Sequence, residues 1–220
     1  MYRVLPLLTE QEIEECRRIA AAAPFAEGRI TNPHNKAKQN EQLHDADAYN
    51  RSSQLLLQAF ARSEEFREFA FPEMIAPPMI TRYRPGMKYG AHADAAYIQL
   101  AGGSLRSDLS CTVFLNDPDS YEGGALNVRL GDSNLTFKLK AGEAIIYSSD
   151  SLHQVEPVTK GERLVAITFI QSRIADPFRR NLLFDLNEVA ALEGLKMSHE
   201  NFTRLQLVRS NLLRYWGDQP

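Results

Sequence analysis

The spacing of hydrophobic residues along the chain changes near residue 78. Before that point, apolar side chains recur at helical intervals. Thr9 and Glu12 form a capping-box signature that begins one helix, and Pro24 ends it. A second helical stretch covers residues 52–69, and Ser63 is placed to begin a separate helix inside it. The polar residues 32–42 between these stretches predict a loop or an edge strand.

After residue 78 the period shortens to that of β-strands. Short segments rich in β-branched and aromatic residues alternate with clusters of Gly, Pro, Asp or Asn. They lie at residues 79–84, 89–98, 108–116, 125–130, 134–139, 144–148, 152–158 and 163–172. Strands of this number and length predict a double-stranded β-helix, or jelly roll. Helical spacing returns over residues 179–195 and again from Ser198, with Gly217 after the end of the last helix.

These patterns predict a mainly β fold with flanking helices, divided into three segments. We expect residues 1–77 to form an N-terminal helical segment packed on the core. Residues 78–175 would form the jelly-roll core, and residues 176–220 a C-terminal helical extension. A chain of 220 residues with 44% hydrophobic content can bury such a core.

Composition narrows the classes of partner and location. The net charge of −3 gives no support for nucleic acid or an anionic membrane as a partner. No apolar run approaches the ~20 residues that a membrane span needs, and the N-terminal run is too short for a signal peptide. Cys16 and Cys111 are typical of free buried thiols in a reducing compartment. We therefore expect a cytoplasmic protein.

Two histidines and an aspartate form the first candidate site. His92 and Asp94 are two residues apart in a strand-like segment, so both side chains should face the same side. His153 begins a later strand. Two imidazoles and one carboxylate can hold iron(II) and leave adjacent positions open, but the same set also binds zinc in hydrolases. With 5 His and 28 acidic residues among 220, roughly 0.6 His-x-Asp or His-x-Glu pairs are expected by chance, so this pair alone is a weak signal.

Arg163, ten residues beyond His153, begins an otherwise apolar strand. A buried guanidinium needs an anionic partner, either an Asp or Glu of the protein or the carboxylate of an oxoacid. We expect the two strands to form a hairpin, and a shared cavity then requires either a kink at Pro157 or an odd-length loop. A three-residue loop, 159–161, would place Arg163 opposite Pro157. Pro157 is four residues from His153, so the backbones of His153 and Arg163 would be ~13 Å apart. A five-carbon diacid that chelates the metal at one end could reach the side chain of Arg163 with the other.

Six motifs occur in order between residues 83 and 186. They are Tyr83-Arg-Pro-Gly-Met-Lys-Tyr-Gly-Ala-His-Ala-Asp94, Arg106-Ser-Asp-Leu-Ser-Cys-Thr-Val-Phe-Leu115, Tyr121-Glu-Gly-Gly-Ala-Leu126, Ser151-Leu-His-Gln-Val-Glu-Pro-Val158, Gly161-Glu-Arg163 and Asn181-Leu-Leu-Phe-Asp-Leu186. Over about half of the chain, this series resembles the PKHD-type hydroxylases, which are iron(II)- and 2-oxoglutarate-dependent dioxygenases of the prolyl/lysyl-hydroxylase-like group.

The resemblance implies a role for five residues. His92, Asp94 and His153 would be the iron ligands, and Arg163 would bind the far carboxylate of 2-oxoglutarate. Tyr83 would be a further contact to this co-substrate. No catalytic residue beyond the iron ligands is expected. Ala95 and Ala125 depart from the Asn and Glu that relatives often carry, which concerns contacts to the substrate.

The resemblance also implies an activity and its cofactors. Iron(II), 2-oxoglutarate and dioxygen would convert the co-substrate to succinate while an unidentified substrate is hydroxylated, with ascorbate as reductant. The family name suggests peptidyl prolyl or lysyl side chains. The residues alone leave two alternatives, a non-catalytic jelly-roll binding module and a zinc hydrolase with the same ligands. The C-terminal helices could cover the active-site mouth or form a homodimer.

Overall fold

The computed structural model describes residues 1–31 and 37–217. Its strands, in chain order, are β1 (Tyr2–Pro6), β2 (Phe25–Glu27), β3 (Lys38–Gln39), β4 (Glu41–Leu43), β5 (Pro72–Ile75), β6 (Met79–Tyr83), β7 (Lys88–His92), β8 (Tyr97–Leu100), β9 (Gly103–Arg106), β10 (Leu109–Phe114), β11 (Glu122–Gly123), β12 (Leu126–Leu130), β13 (Ser133–Phe137), β14 (Glu143–Ser148), β15 (His153–Val155), β16 (Val158–Lys160) and β17 (Arg163–Ser172). The helices are α1 (Glu10–Ala22), α2 (Ala46–Arg62), α3 (Glu64–Ala70), α4 (Pro177–Glu193) and α5 (His199–Trp216).

The helix ends follow from capping side chains. Thr9 caps α1 with the full capping box. Ser63 ends α2 and caps α3, as expected, and Ser198 caps α5. The predicted start of α2 at residue 52 was too late, because Asp45 already caps the helix at Ala46. No helix in the described part of the chain is long and apolar enough to span a membrane.

Two antiparallel sheets form the jelly roll and confirm the predicted fold class. The larger sheet has the order β1-β14-β10-β17-β6-β4-β2, with β5 also paired to β17. The smaller sheet has the order β13-β12-β15-β7-β3. The segment before residue 78 thus contributes strands to both sheets. The pattern did not predict β1 and β2, because both are short and depend on pairing with a neighbour. The division of the chain into three segments stays a prediction.

The larger sheet separates two hydrophobic clusters. Alternate residues of β17, such as Leu164 and Ala166, face the cluster that includes α1, α2 and α3. Val165 faces the cluster between the two sheets. This alternation follows from the two-residue period of a strand. It also directs Arg163 toward the space between the sheets. Cys16 and Cys111 are both buried and free, as expected.

Two details of the predicted strands were wrong. The segment 89–98 is not one strand, because β7 ends at His92 and β8 pairs with β9 in a separate hairpin. The hairpin between His153 and Arg163 is also absent. β15 lies in the smaller sheet and β17 in the larger one, and Arg163 pairs with Tyr83 instead of Pro157. Consecutive strands of a jelly roll cross between its two sheets. The loop length of a hairpin therefore does not decide which way Arg163 faces.

Candidate metal centre and the adjoining cavity

His92, Asp94 and His153 converge at one point between the sheets. β7 and β15 are antiparallel neighbours, and their register places His92 directly opposite His153. Asp94 follows two residues after β7 ends. Its carboxylate oxygens lie 3.9 Å from Nε2 of His92 and 3.6 Å from Nε2 of His153. One potential ligand atom from each residue lies within 4.8 Å of the other two, which is close enough for one ion to contact all three.

Backbone carbonyls orient both imidazoles. Nδ1 of His92 lies 2.8 Å from the carbonyl of Gly90, and Nδ1 of His153 lies 3.0 Å from the carbonyl of Ser151. A carbonyl can only accept, so each Nδ1 carries the proton and each Nε2 keeps its lone pair. Burial, reinforced by the nearby His153, lowers the pKa of His92 to about 4. His92 is therefore a neutral imidazole, the form that binds a metal.

A chain of three buried serines holds Asp94. Oγ of Ser110 donates to Oδ2 of Asp94 at 2.5 Å. Because that donation uses the one hydroxyl proton of Ser110, Ser149 must donate to Ser110 across their 2.8 Å contact. Ser107 in turn donates to Ser149 at 2.9 Å. All three hydroxyls therefore donate in one direction, toward Oδ2 of Asp94, and Oδ1 of that carboxylate is left to face His92.

Arg163 lies on the wall of the same cavity and is only 1% exposed. Its guanidinium lies 5.0 Å from the ring centre of Tyr83 and 5.4 Å from that of Phe114. No carboxylate in the described part of the chain forms an ion pair with it, and its buried Nε has no hydrogen-bond partner there. The internal salt bridge considered from the sequence is therefore absent. A buried cation without an anion is costly, so this wall fits an anionic ligand.

The glycine pair of the sequence motif packs against this arginine. Gly124 has φ of +65°, and a Cβ there would lie 3.1 Å from Cδ of Arg163 and 2.8 Å from a methyl carbon of Val158. The backbone N–H of Gly124 donates to the carbonyl of Pro157. The missing side chain at Gly124 therefore leaves room for the stem of Arg163.

Three further residues line the cavity and were missed by sequence reasoning: Lys38, Asn40 and Tyr147. Burial lowers the pKa of Lys38 to about 8, although Asp94 opposes the shift. Burial raises the pKa of Tyr147 well above its ordinary value, so its hydroxyl keeps its proton. Lys38 and Asn40 reach the cavity because β3 pairs with β7. No local motif predicts that pairing.

The basic residues before the first ligand strand have a structural role. Arg82 and Arg84 both contact Glu41, and Arg84 also lies 3.8 Å from a carboxylate oxygen of Glu162. Neither arginine lines the cavity. Their positions therefore give no support for a role of these two residues in recognising an acidic substrate.

Together, the fold and the cavity define a class of protein. Two imidazoles with free Nε2 atoms and one held carboxylate suit a ferrous ion, and the buried guanidinium suits the far carboxylate of an oxoacid. Both groups line one cavity between the sheets of a jelly roll. This arrangement is typical of an oxygenase that uses iron and a 2-oxoacid.

Comparisons with known proteins agree with this class. The profile of the 2OG-Fe(II) oxygenase superfamily matches residues 78–171. A PKHD-type hydroxylase of Sphingopyxis alaskensis is 57% identical over 98% of this chain and 99% of its own length. One from Thioalkalivibrio sulfidiphilus is 42% identical over 96% of each chain. The crystal structure of a Pseudomonas putida prolyl-4-hydroxylase has a TM-score of 0.56 at 20% identity, over 78% of this chain and 92% of that one.

The chain belongs to the PKHD-type hydroxylases. The resemblance stated from the sequence motifs is thereby confirmed. The protein is an iron(II)- and 2-oxoglutarate-dependent dioxygenase, which uses dioxygen with these two groups. The family supports this activity over the binding module and the zinc hydrolase that the residues alone left open.

Proposed function

We propose that His92, Asp94 and His153 hold the iron and that Arg163, with Tyr83, binds the distal carboxylate of 2-oxoglutarate, the one farthest from the keto group. The observation that carries this proposal is the shared cavity. One wall presents three metal-binding side chains, and another presents a fully buried guanidinium without a carboxylate partner among the described residues. 2-Oxoglutarate, a five-carbon diacid, has one carboxylate for the wall with the metal-binding side chains and one for the wall with Arg163.

Each residue then has a defined task. The carbonyls of Gly90 and Ser151 fix the imidazoles so that Nε2 faces the ion. Ser110 orients the carboxylate of Asp94. Arg163 neutralises the distal carboxylate, and the apolar core around it excludes water. When bound, iron(II) and 2-oxoglutarate supply the oxygen activation that yields succinate and carbon dioxide and hydroxylates a C–H bond.

A binding experiment tests these assignments without a known substrate. Iron(II) and 2-oxoglutarate are added in the absence of oxygen, and the visible iron-to-oxoacid charge-transfer absorption is titrated. We expect the band to form in the wild-type protein. Arg163→Ala should weaken 2-oxoglutarate binding on the order of 100-fold, because a buried charged contact is lost.

Arg82→Ala is the matched control for this experiment. It removes an arginine from β6, the strand that pairs with β17, without touching the cavity. Its 2-oxoglutarate affinity should equal that of the wild type. Absence of the band in the wild-type protein would overturn the iron site. A normal 2-oxoglutarate affinity in Arg163→Ala would remove the role of that residue.

Only the names of similar proteins indicate a class of substrate. Relatives are called PKHD-type hydroxylases, and one protein of similar fold is called a prolyl-4-hydroxylase. A prolyl or lysyl side chain is therefore the substrate class that we propose. Incubating the protein and its co-substrates with a cell extract, and searching by mass spectrometry for peptides and metabolites that gain one oxygen, would identify the product. A small metabolite as the only product would contradict the proposal.

The remaining expectations about the reductant, the location and the partners stay predictions. These are ascorbate as reductant, a cytoplasmic location, the absence of nucleic acid and membrane partners, and a homodimer. Several large apolar side chains of α4 and α5 are exposed, including Leu192, Val208 and Tyr215. A mass measurement in solution distinguishes a monomer from a homodimer.

A further inference from the structure

The hydroxyl of Tyr83 has a buried partner that the sequence motifs do not contain. Nδ2 of Asn40 donates to Oη of Tyr83 at 3.0 Å. The two residues are 3% and 4% exposed, and both line the cavity that Arg163 lines. Asn40 lies between β3 and β4, far from the jelly-roll motifs in sequence.

This contact determines where the proton of Tyr83 can go. A phenol has one proton to donate, and Oη already accepts from Asn40. Burial raises the pKa of Tyr83, so the proton stays on the oxygen at neutral pH. The guanidinium of Arg163, the nearest charged group, cannot accept a hydrogen bond. Tyr83 forms no other hydrogen bond among the described residues, so its proton is available to an anion in the cavity.

The orientation of the Asn40 amide is essential to this result. If Oδ1 instead of Nδ2 faced Tyr83, the phenol would donate to Asn40 and its proton would turn away from the cavity. The N–H of Gly28 donates to the carbonyl of Asn40 at 2.8 Å, which positions the Asn40 backbone, and Nδ2 is the amide atom that faces Oη of Tyr83. Oδ1 of Asn40 is buried without a hydrogen-bond partner in the described residues. Such a cost is typical of a functional site.

We propose that Asn40 is a positioning residue for 2-oxoglutarate, which orients the Tyr83 hydroxyl to donate to the distal carboxylate beside Arg163. This inference rests on the proposed function of Arg163. It adds a third residue to the recognition of that carboxylate and assigns a task to the N-terminal segment. Asn40 itself acts through Tyr83.

The test is a double-mutant cycle on 2-oxoglutarate affinity. Asn40→Ala, Tyr83→Phe and the double variant are titrated without oxygen through the charge-transfer absorption. Asn40→Ala should weaken binding about 3- to 10-fold, the range for one hydrogen bond. In the Tyr83→Phe background the same change should have no further effect, because no hydroxyl remains to be oriented. Asn40→Val, which keeps more side-chain volume, serves as a second variant that lacks the donor.

Two controls separate positioning from packing. Pyruvate has the keto acid end but no distal carboxylate, so its affinity should be the same in wild type and Asn40→Ala. Thr81→Val changes another buried polar residue on β6 that does not line the cavity, and it should leave 2-oxoglutarate affinity unchanged. Thermal melting establishes that each variant is folded.

The outcomes distinguish this inference from the proposed function. Equal losses for pyruvate and 2-oxoglutarate, or equal losses in both Tyr83 backgrounds, would show a structural role and overturn the inference. Unchanged 2-oxoglutarate affinity in both Asn40 variants, together with a large loss in Arg163→Ala, would overturn the inference alone. Unchanged affinity in Arg163→Ala would overturn the proposed function on which it rests.

Discussion

The two ends of the cavity are constructed differently. The metal end consists of His92, Asp94 and His153, and its two histidines come from neighbouring strands of the smaller sheet. The distal end consists of Arg163 and Tyr83, which are paired on two neighbouring strands of the larger sheet, β17 and β6. Each end uses a different sheet, so the cavity depends on how the two sheets pack.

The ends also differ in what holds them in place. At the metal end each imidazole bonds to a carbonyl only two residues earlier in the chain. At the distal end, Arg163 depends on Gly124 for space and Tyr83 depends on Asn40 for orientation. Local contacts therefore orient the two imidazoles, whereas the third residue, Asp94, is held by Ser110 of β10. The distal end requires several remote segments to be in place at once.

The strongest test of this difference compares Asp94→Ala with Arg163→Ala. Loss of a ligand should weaken metal binding by more than the roughly 100-fold typical of losing an outer contact. Arg163→Ala should leave metal affinity unchanged, because Arg163 contacts none of the three ligands. Binding of cobalt(II), a stable stand-in for iron(II), is measured by calorimetry without 2-oxoglutarate. A parallel loss in both variants would show that the two ends are not independent.

The serine chain tests how local the metal end is. Ser110→Ala removes the hydrogen bond to Asp94 and should weaken cobalt(II) binding roughly 10- to 100-fold. Ser149→Ala acts one step farther away and should have a smaller effect in the same direction. Ser53→Ala, at a buried serine of α2 outside the cavity, is the matched control. If Ser110→Ala binds the metal normally, the chain does not position Asp94.

The two histidines of the metal end could be singled out from the sequence partly because their backbone supports are local. His92 and Asp94 are two positions apart, and His153 begins a strand that the pattern of apolar residues identified. The jelly roll itself followed from short strands separated by turn residues. The predicted local structure was partly wrong, because Asp94 lies beyond the end of β7.

The distal end could be predicted only in part. Arg163 was recognised because a charge begins an apolar strand, but the hairpin invoked to place it does not exist. The strand that pairs with Arg163 is β6, about 80 residues earlier in the chain. Asn40 and Lys38 reach the cavity only through β3, a two-residue edge strand in the polar stretch 32–42, and the pattern of that stretch gave no strand for it to pair with. Such pairings depend on tertiary structure, which spacing along the sequence does not contain.

The smallest expected effect tests whether the distal end depends on remote packing. Gly124→Ala would place a methyl group against the stem of Arg163, and we expect 2-oxoglutarate affinity to fall about 3- to 10-fold as the guanidinium shifts. Gly131→Ala is the matched control, because φ is +61° there but the added carbon meets nothing within 4 Å. Both variants carry backbone strain of roughly 1–2 kcal/mol, and the close contacts of Gly124→Ala should lower its melting temperature further. Only Gly124→Ala should lose 2-oxoglutarate affinity, and neither should lose cobalt(II) affinity. Equal 2-oxoglutarate affinities in the two variants would mean that Arg163 does not need the space that Gly124 leaves.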